Sequence, residues 1–364
     1  MSNKRKIIKW SLIVFVGLIV SIVSFGYWFI TLLPPPTKTR AELKKSVVSD
    51  LPYLTQNIIP KRGKILAVVT STPKMGSTDK KTGFELTELS RTYYVFQANG
   101  FEVDVASPLG GKPPVVLDTD DMKEFDYAFL NDKVAQNKID NSLAIKDVNP
   151  DDYQAIFFVG GKGAMFDFPE NKYIQSIVRD YYESGKVVGA VCHEPAALVN
   201  VTLNNGQSLL SNKTVSSFTN KEELLLIPDA KDIFPFLLQS KLEEKGARFS
   251  EGAIYLNNVS HDGNLVTGQN PWSTWEVAET MIEQLGYEPK RRVVSAEEHS
   301  IAILGVYESK GLDKAKNTLK KYVEANKAID REVLAIHSIV GIMQFDFIKT
   351  VQLIRLLRYS NEFL

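Results

Sequence analysis

The sequence predicts an α/β fold built on a mostly parallel sheet that is covered on both faces. Its apolar runs are rich in β-branched residues, which is typical of strands buried on both sides. The runs alternate with helical or polar segments, and this alternation implies parallel strands joined by crossovers. The predicted strands are residues 64–70, 101–106, 153–159 and 187–191.

The connections between these strands carry their own patterns. Leu86, Leu89 and Tyr93 recur at helical spacing, and Asn99-Gly100 supplies a C-cap after them. The predicted connecting elements are a helix over 85–98, short helices within 117–150 at the edge of the sheet, and an amphipathic helix over 171–184.

Cys192 lies at the bend after the fourth predicted strand. Pro195 then stands where a first helical turn tolerates proline, and an apolar helix is predicted to follow. A side chain at such a bend sits at the carboxyl end of the sheet, beside a helix N-terminus whose dipole favours thiolate. The sequence therefore predicts an exposed nucleophile with a low pKa, rather than a small packing residue.

The residues around this bend resemble a known family signature. Residues 190–198, Ala-Val-Cys-His-Glu-Pro-Ala-Ala-Leu, are similar to the signature of the ThiJ/PfpI superfamily, a class I glutamine-amidotransferase-like group. Within it, they resemble the branch of glutathione-independent glyoxalases and stress chaperones. The resemblance runs from about Lys64 to Leu285, and it implies a flavodoxin-like three-layer sandwich. Further motifs fit in register at residues 65–71, 81–84, 100–108, 110–114, 160–167 and 268–271.

The resemblance implies a catalytic set around the cysteine. His193 would be the imidazole of a Cys–His–acid triad, and the register from Phe218 places the acid at Glu223, with Glu222 left open as its neighbour. Glu88 matches the buried glutamate that the family holds beside the thiol. Glu85, one helical turn earlier, is expected to be the more exposed carboxylate.

Two glycines and two unusual residues complete the predicted site. Gly160 and Gly161 follow a strand, and their N–H groups are expected to form an oxyanion hole with that of His193. The family usually has glycine where this chain has Glu194, and commonly histidine where it has Lys162. Glu194 would crowd the pocket or raise the thiol pKa, and an ion pair with Lys162 would offset its charge.

Composition excludes several other classes of function. Lys+Arg and Asp+Glu are both 43, so no charge excess indicates a nucleic-acid partner. Cys192 is the only cysteine, so neither a disulfide within the chain nor a cysteine-based metal site is expected. The four histidines are scattered, no G-x-G-x-x-G is present, and we predict neither a metal site nor a cofactor.

The N-terminus predicts a membrane anchor. Residues 10–33 contain no charge and are long enough to span a bilayer, and Lys4, Arg5, Lys6 and Lys9 precede them. The apolar run is longer than that of a cleaved signal peptide, and Pro34–Pro36 would stop the helix. Basic residues before the span predict a cytoplasmic N-terminus and an extracytoplasmic main domain.

These observations divide the chain into four predicted regions: an anchor over 1–36, a stalk over 37–63, the α/β domain over 64–287 and a helical extension over 288–364. Repeated helix–turn–helix patterns in the extension are compatible with tetratricopeptide-like hairpins. A pair of ordinary helical hairpins packed on the α/β domain is the better interpretation, and a protein partner of these helices is left open.

For function, the resemblance implies a cofactor-free, glyoxalase III-like hydro-lyase that converts 2-oxoaldehydes such as methylglyoxal to 2-hydroxy acids. A non-catalytic chaperone or binding module is the alternative, as is a deglycase or peptidase that uses the same cysteine. A homodimer is left open.

Overall fold

The computed structural model describes residues 2–33 and 38–363; the side chains of residues 2–9, 22 and 25 lie outside that description. It forms two compact units. One is the α/β unit, Lys38–Val294, and the other joins the N-terminal helix to the helices after residue 294. The predicted proline stop at Pro34–Pro36 lies outside the described residues.

The α/β unit is built on a sheet of seven strands in the order β6-β7-β5-β4-β1-β2-β3. All neighbouring pairs are parallel except β6 with β7, the hairpin at one edge. The predicted mostly parallel sheet is therefore confirmed. The strands are β1 Gly63–Val68, β2 Phe101–Ser107, β3 Leu143–Ala144, β4 Ala155–Phe158, β5 Val187–Val191, β6 Val259–Asp262 and β7 Leu265–Gly268.

Alternate residues of the central strands enter two separate cores. Ile65 and Ala67 of β1 pack into the core on one face, and Leu66 and Val68 pack into the core on the other. Because successive side chains of a strand point to opposite faces, a strand with a core on each side must be apolar throughout. This is why the strands read as continuous apolar runs, and it makes the unit a three-layer sandwich.

Helices cover both faces of the sheet. Helices α2 and α8 pack against the first core, and α5 packs against the second. Numbering helices of seven or more residues from the N-terminal α1 (Ser2–Ile30), this unit contains α2 Leu86–Ala98, α3 Glu124–Asn131, α4 Lys133–Asp140, α5 Lys172–Glu183, α6 Asn220–Leu226, α7 Leu238–Glu244 and α8 Thr274–Gln284.

The segment before β1 differs from the predicted stalk. Leu51 and Tyr53 are buried in the first core, and the Asn131 side chain donates hydrogen bonds to the carbonyls of Lys44 and Ser46. The short apolar patch in this segment supplies the packing residues. Residues 38–62 are thus part of the α/β unit and do not form a free stalk.

Helix α1 contains one candidate membrane span. Trp10–Ile30, 21 residues, is exposed in the structure and is long and apolar enough to cross a bilayer. A signal sequence meets the same criteria of length and composition.

The chain after residue 294 folds into four helices arranged as two hairpins. They are α9 Ala296–Lys310, α10 Leu312–Glu324, α11 Arg331–Met343 and α12 Phe347–Ser360. Helices α9 and α10 pack together, as do α11 and α12, and the two pairs contact each other. Capping explains their boundaries, since Ser295 and Asp330 each accept hydrogen bonds from the first helical turn.

Candidate active site

Cys192 follows β5 in a backbone conformation that few non-glycine residues adopt. Its φ is 63°, the left-handed region, which costs energy unless the surroundings fix it. The Cys192 N–H donates to the Gly268 carbonyl at 3.0 Å, and the Phe218 N–H donates to the Cys192 carbonyl at 2.8 Å. Hydrogen bonds to two neighbouring segments therefore hold the elbow in this conformation.

His193 and Glu223 lie in line with the thiol. Cys192 Sγ is 3.2 Å from His193 Nδ1, and His193 Nε2 is 2.7 Å from Glu223 Oε2. The imidazole stacks on the Phe218 ring at 4.6 Å, which fixes its orientation. Burial raises the pKa of Glu223, but the His193 ring and the Lys162 charge outweigh burial and leave this pKa below its usual value. An ionised Glu223 favours the tautomer with the proton on Nε2, so the Nδ1 lone pair faces the thiol.

Glu222, the neighbour that the sequence left open, has a different environment. Its carboxylate accepts hydrogen bonds from the Thr219 N–H and hydroxyl as part of a capping box, and from the side chains of Gln269 and Asn270. Because these polar groups satisfy it, Glu222 holds the start of α6. Of the two glutamates, it is Glu223 that contacts the imidazole.

Glu88 lies in the first turn of α2 with its carboxyl fully buried beside the thiol. Burial, with the nearby Glu85 charge, raises the pKa of Glu88 to about 8, while contact with Cys192 partly lowers it. Gly160 provides the room for this carboxyl, since a Cβ at that position would lie 1.7 Å from Glu88 Oε2. Neither carboxyl oxygen of Glu88 has a well-aligned hydrogen-bond partner. At neutral pH, Glu88 is a protonated acid beside the cysteine.

Glu194 is buried completely, and neither of its carboxyl oxygens has a well-aligned hydrogen-bond partner. Burial, with the charges of Glu88, Glu85 and Asp167, raises its pKa well above the usual value, and the approach of the Gly161 N–H acts in the opposite direction. Of the ion pairs between described residues, none joins Glu194 to Lys162. The compensating pair that the sequence left open is not formed, and burial favours the neutral form of Glu194 instead.

The expected low thiol pKa is wrong for the resting protein. Burial raises the pKa of Cys192 well above its usual value, the charges of Glu88 and Glu194 raise it further, and Lys162 offsets them only in part. The side chain is 4% exposed, not exposed as the elbow predicted. The helix after the elbow is a 3₁₀ segment, Glu194–Leu198, too short for a dipole that outweighs burial.

Two further carboxyls belong to this environment. Glu85, expected to be exposed, is only half-buried by accessible surface, yet burial raises its pKa. Asp167 accepts hydrogen bonds from the Thr70 hydroxyl and the Ser71 N–H, and burial raises its pKa to about 6. Sequence reasoning did not select Asp167 as a site residue. Its place as the last residue of the motif 160–167 was the one signal that pointed to it.

The site has a strained cysteine at the end of a buried strand, with a histidine and a carboxylate in line. This arrangement defines a cysteine–histidine–glutamate protein of the three-layer α/β class. Comparison with known sequences identifies the family within that class. The profile of the DJ-1/PfpI family matches residues 80–284, more than half of the chain, and the chain belongs to that family.

Relatives within the family include named glyoxalases. Glyoxalase 3 of Candida albicans is 32% identical over 236 residues, which cover 60% of this chain and 97% of the relative. The glutathione-independent glyoxalase HSP31 of Saccharomyces cerevisiae is 34% identical, covering 61% and 98%. Among solved structures, Rapid Encystment Protein 24 kDa of Francisella tularensis is 37% identical with a TM-score of 0.59, covering 62% of this chain and 99% of that one.

Proposed function

We propose that this protein is a cofactor-free hydro-lyase of the glyoxalase III type, which converts 2-oxoaldehydes such as methylglyoxal to 2-hydroxy acids. The observation that carries the proposal is the pairing of a thiol with an imidazole on one side and a neutral, buried carboxyl, Glu88, on the other. The similarity to named glutathione-independent glyoxalases supports the same substrate class.

The first step forms a bond between sulfur and the aldehyde carbon. With Glu223 ionised, His193 Nδ1 is free to accept the thiol proton over 3.2 Å. The raised thiol pKa means that this transfer accompanies attack, so the protein stores a thiol and not a thiolate. Glu88 then donates its proton to the alkoxide, which gives a neutral hemithioacetal and leaves a carboxylate.

The second step is an internal oxidation and reduction that needs no external electron acceptor. The Glu88 carboxylate removes the hydrogen of the former aldehyde carbon and returns the proton to the neighbouring carbon. The hydroxyl proton moves to the adjacent oxygen, and the neutral Glu194 relays it by giving one proton and taking another. The product is a thioester of the 2-hydroxy acid. Water hydrolyses this thioester: the Glu88 carboxylate accepts the proton that the attacking water loses and becomes the acid again, and the departing thiolate regains its proton from His193.

The test uses the full chain in detergent with methylglyoxal and without glutathione. We expect stoichiometric lactate, measured with a lactate-specific enzymatic assay, and no requirement for added metal or nucleotide. Methylglyoxal loss without lactate would indicate adduct formation on the protein and would contradict the proposal.

Glu194→Gly restores the glycine that the family usually has beside the cysteine, and it tests what the glutamate does there. Once ionised, the Glu194 carboxyl raises the pKa of the thiol, so its removal is expected to lower the pH midpoint of Cys192 alkylation by iodoacetamide. The lost volume is expected to favour bulky substrates, so catalytic efficiency for phenylglyoxal should rise relative to methylglyoxal. Glu194→Gln is the matched control, because it keeps the volume and removes only the titrating group. An equal phenylglyoxal preference in both variants would contradict a role for volume.

A non-catalytic binding module is the second candidate, and closure of the site favours it. Cys192, His193 and Glu194 are all buried, and the Gly161 N–H of the expected oxyanion hole is directed at Glu194. If Glu194→Gly gains turnover strongly over the native chain, the native pocket is closed and this candidate takes the lead.

We further propose that α1 anchors the protein in a membrane, with the N-terminus in the cytoplasm and the α/β unit outside. The exposed apolar helix Trp10–Ile30 and the four basic residues before it support this topology. We expect protease added to cells with a permeabilised outer barrier to digest residues 38–364 and spare the anchor. Complete protection of the main domain would show the reverse topology, and release of the protein by alkaline carbonate would reject the anchor.

A further inference from the structure

The hairpin of α11 and α12 exposes a continuous apolar surface. Large apolar side chains recur along one face of α11, continue through the turn and occupy the first turns of α12. Three of them are unusually exposed: Phe345 at 81%, Ile348 at 75% and Phe347 at 64%. Single exposed apolar residues are ordinary, whereas a contiguous set marks an interaction site. This surface, the hairpin patch, comprises Ile336, Ile339, Ile342, Met343, Phe345, Phe347, Ile348 and Val351.

The hairpin patch is additional to the core face of the same helices. Val333, Leu334 and Val340 of α11, with Leu353 and Leu356 of α12, are buried inside the helical unit. The sequence has no charged residue from Val333 to Phe345, so α11 is apolar on nearly all sides. An apolar run of this length is too short to span a bilayer and is typical of a core helix or an interfacial segment. Exposure of one face excludes the core helix.

Few charged residues lie near the patch. Between Val333 and Val351 the only acidic or basic residues of the Asp, Glu, Lys and Arg types are Asp346 and Lys349. Asp346 accepts the Lys349 N–H as the cap of α12, and the Lys349 ammonium pairs with Glu308 at 2.5 Å, with its own side chain only 15% exposed. The Lys349 charge is therefore paired away from the patch, while the exposed Asp346 carboxylate, which caps α12, would have to stay at the level of the lipid headgroups.

The apolar N-terminal helix ends beside the same hairpin. The Arg331 guanidinium, at the first position of α11, donates a hydrogen bond to the Leu32 carbonyl, two residues after Trp10–Ile30. Leu32 is itself buried. Helix α11 is 13 residues long, or about 20 Å, and the patch begins about 8 Å along it. A chain that leaves a membrane at Leu33 thus keeps the patch within one helix length of the lipid surface.

We propose that the hairpin patch inserts into the interfacial layer of the same bilayer that α1 spans. The inference rests on the proposed anchor, which holds the patch at a high effective concentration near lipid. Aromatic and branched aliphatic side chains at a helix turn enter the boundary between headgroups and acyl chains, and the buried apolar area supplies the affinity. The C-terminal unit is then a membrane-docking element.

The experiment places an environment-sensitive fluorophore on the patch. Cys192→Ser removes the native thiol, and Ile348→Cys supplies the labelling position for a nitrobenzoxadiazole probe. Asn317→Cys, on the exposed polar face of α10, is the matched control in the same unit. The full chain is reconstituted into phosphatidylcholine liposomes, with or without doxyl-labelled lipid as a quencher, and the liposomes are floated on a density gradient.

We expect a blue-shifted emission and strong loss of fluorescence with doxyl lipid at position 348, and neither at position 317. Flotation of the protein with an unquenched, red emission at 348 would overturn the patch proposal while leaving the anchor intact. A blue shift that lipid does not quench and that grows with the protein-to-lipid ratio would identify a second copy as the occupant, and would also overturn it. Failure to float would reject the anchor and, with it, the inference.

Discussion

Replacement of Cys192 by serine is expected to abolish lactate formation, with a loss of at least about 10³-fold in kcat/KM. In the proposed mechanism the Cys192 sulfur bonds the aldehyde carbon, and it lies 3.2 Å from the imidazole nitrogen that accepts its proton. A serine hydroxyl is a weaker acid and a poorer nucleophile than a thiol, so its attack from the same position is expected to be much slower. The measurement is the initial rate of lactate formation beside the native chain.

Two controls separate chemistry from folding in this variant. Because Cys192 is the only cysteine, iodoacetamide should label the native chain once and the variant not at all. The thermal unfolding midpoint should change little, since the left-handed elbow depends on backbone hydrogen bonds to Gly268 and Phe218. Retention of more than about a tenth of the native rate would show that another group is the nucleophile, contrary to the proposed mechanism.

The sheet was predictable because its signal is local. Val187–Val191 is apolar throughout, and the structure gives that strand the predicted bounds, between two cores that both need apolar side chains. The two-residue strand Leu143–Ala144 was missed, because two residues carry no period. The packing of residues 38–62 was also missed, because Leu51 and Tyr53 are buried by a core that segments distant in the sequence form.

The electrostatics of the site were not predictable from neighbouring residues alone. The elbow and the adjacent His193 predicted a low thiol pKa, but the opposite direction follows from burial and from carboxyls on other elements. Glu88 comes from α2, after a different strand, and only the fold brings it to the thiol. The supposed ion pair of Glu194 with Lys162 failed for a related reason, because a fully buried carboxyl is neutralised more readily by a proton than by a partially exposed lysine.

Glu88→Gln is expected to lower kcat/KM by about 10²–10⁴-fold, since glutamine can neither give the proton to the alkoxide nor carry it between the two carbons. Glu85→Gln is the matched control, because it removes a carboxylate three residues earlier that lies outside the proposed proton path. That control is expected to keep most of the activity. Equal losses of kcat/KM in the two variants would show that Glu88 acts only through its charge, and would contradict its role as a proton carrier.

The same substitution is expected to make the thiol easier to ionise while turnover falls. Above about pH 8, where Glu88 ionises, its charge raises the pKa of Cys192, so its removal should move the midpoint of iodoacetamide alkylation to lower pH. A purely structural glutamate would instead leave the midpoint in place or disorder the elbow. Faster alkylation with slower catalysis is thus the combination that identifies a proton carrier, and parallel changes in both rates would contradict this role.

The pH dependence of the free energy of unfolding is a third test of the Glu88 protonation state. The raised pKa of Glu88 determines the direction of this dependence. Because the folded protein holds the Glu88 proton up to about pH 8 and the unfolded chain releases it near 4.5, stability contributed by this proton is lost as pH rises through that window. Each unit of pKa difference corresponds to about 1.4 kcal/mol. Urea unfolding at pH 5 and pH 8 should therefore show a smaller loss of stability in Glu88→Gln than in the native chain.

Glu194, whose pKa is raised in the same direction, should leave part of the pH dependence in place. An unchanged pH dependence in Glu88→Gln would mean that Glu88 is ionised in the folded protein, and the proposed acid would have no proton to give.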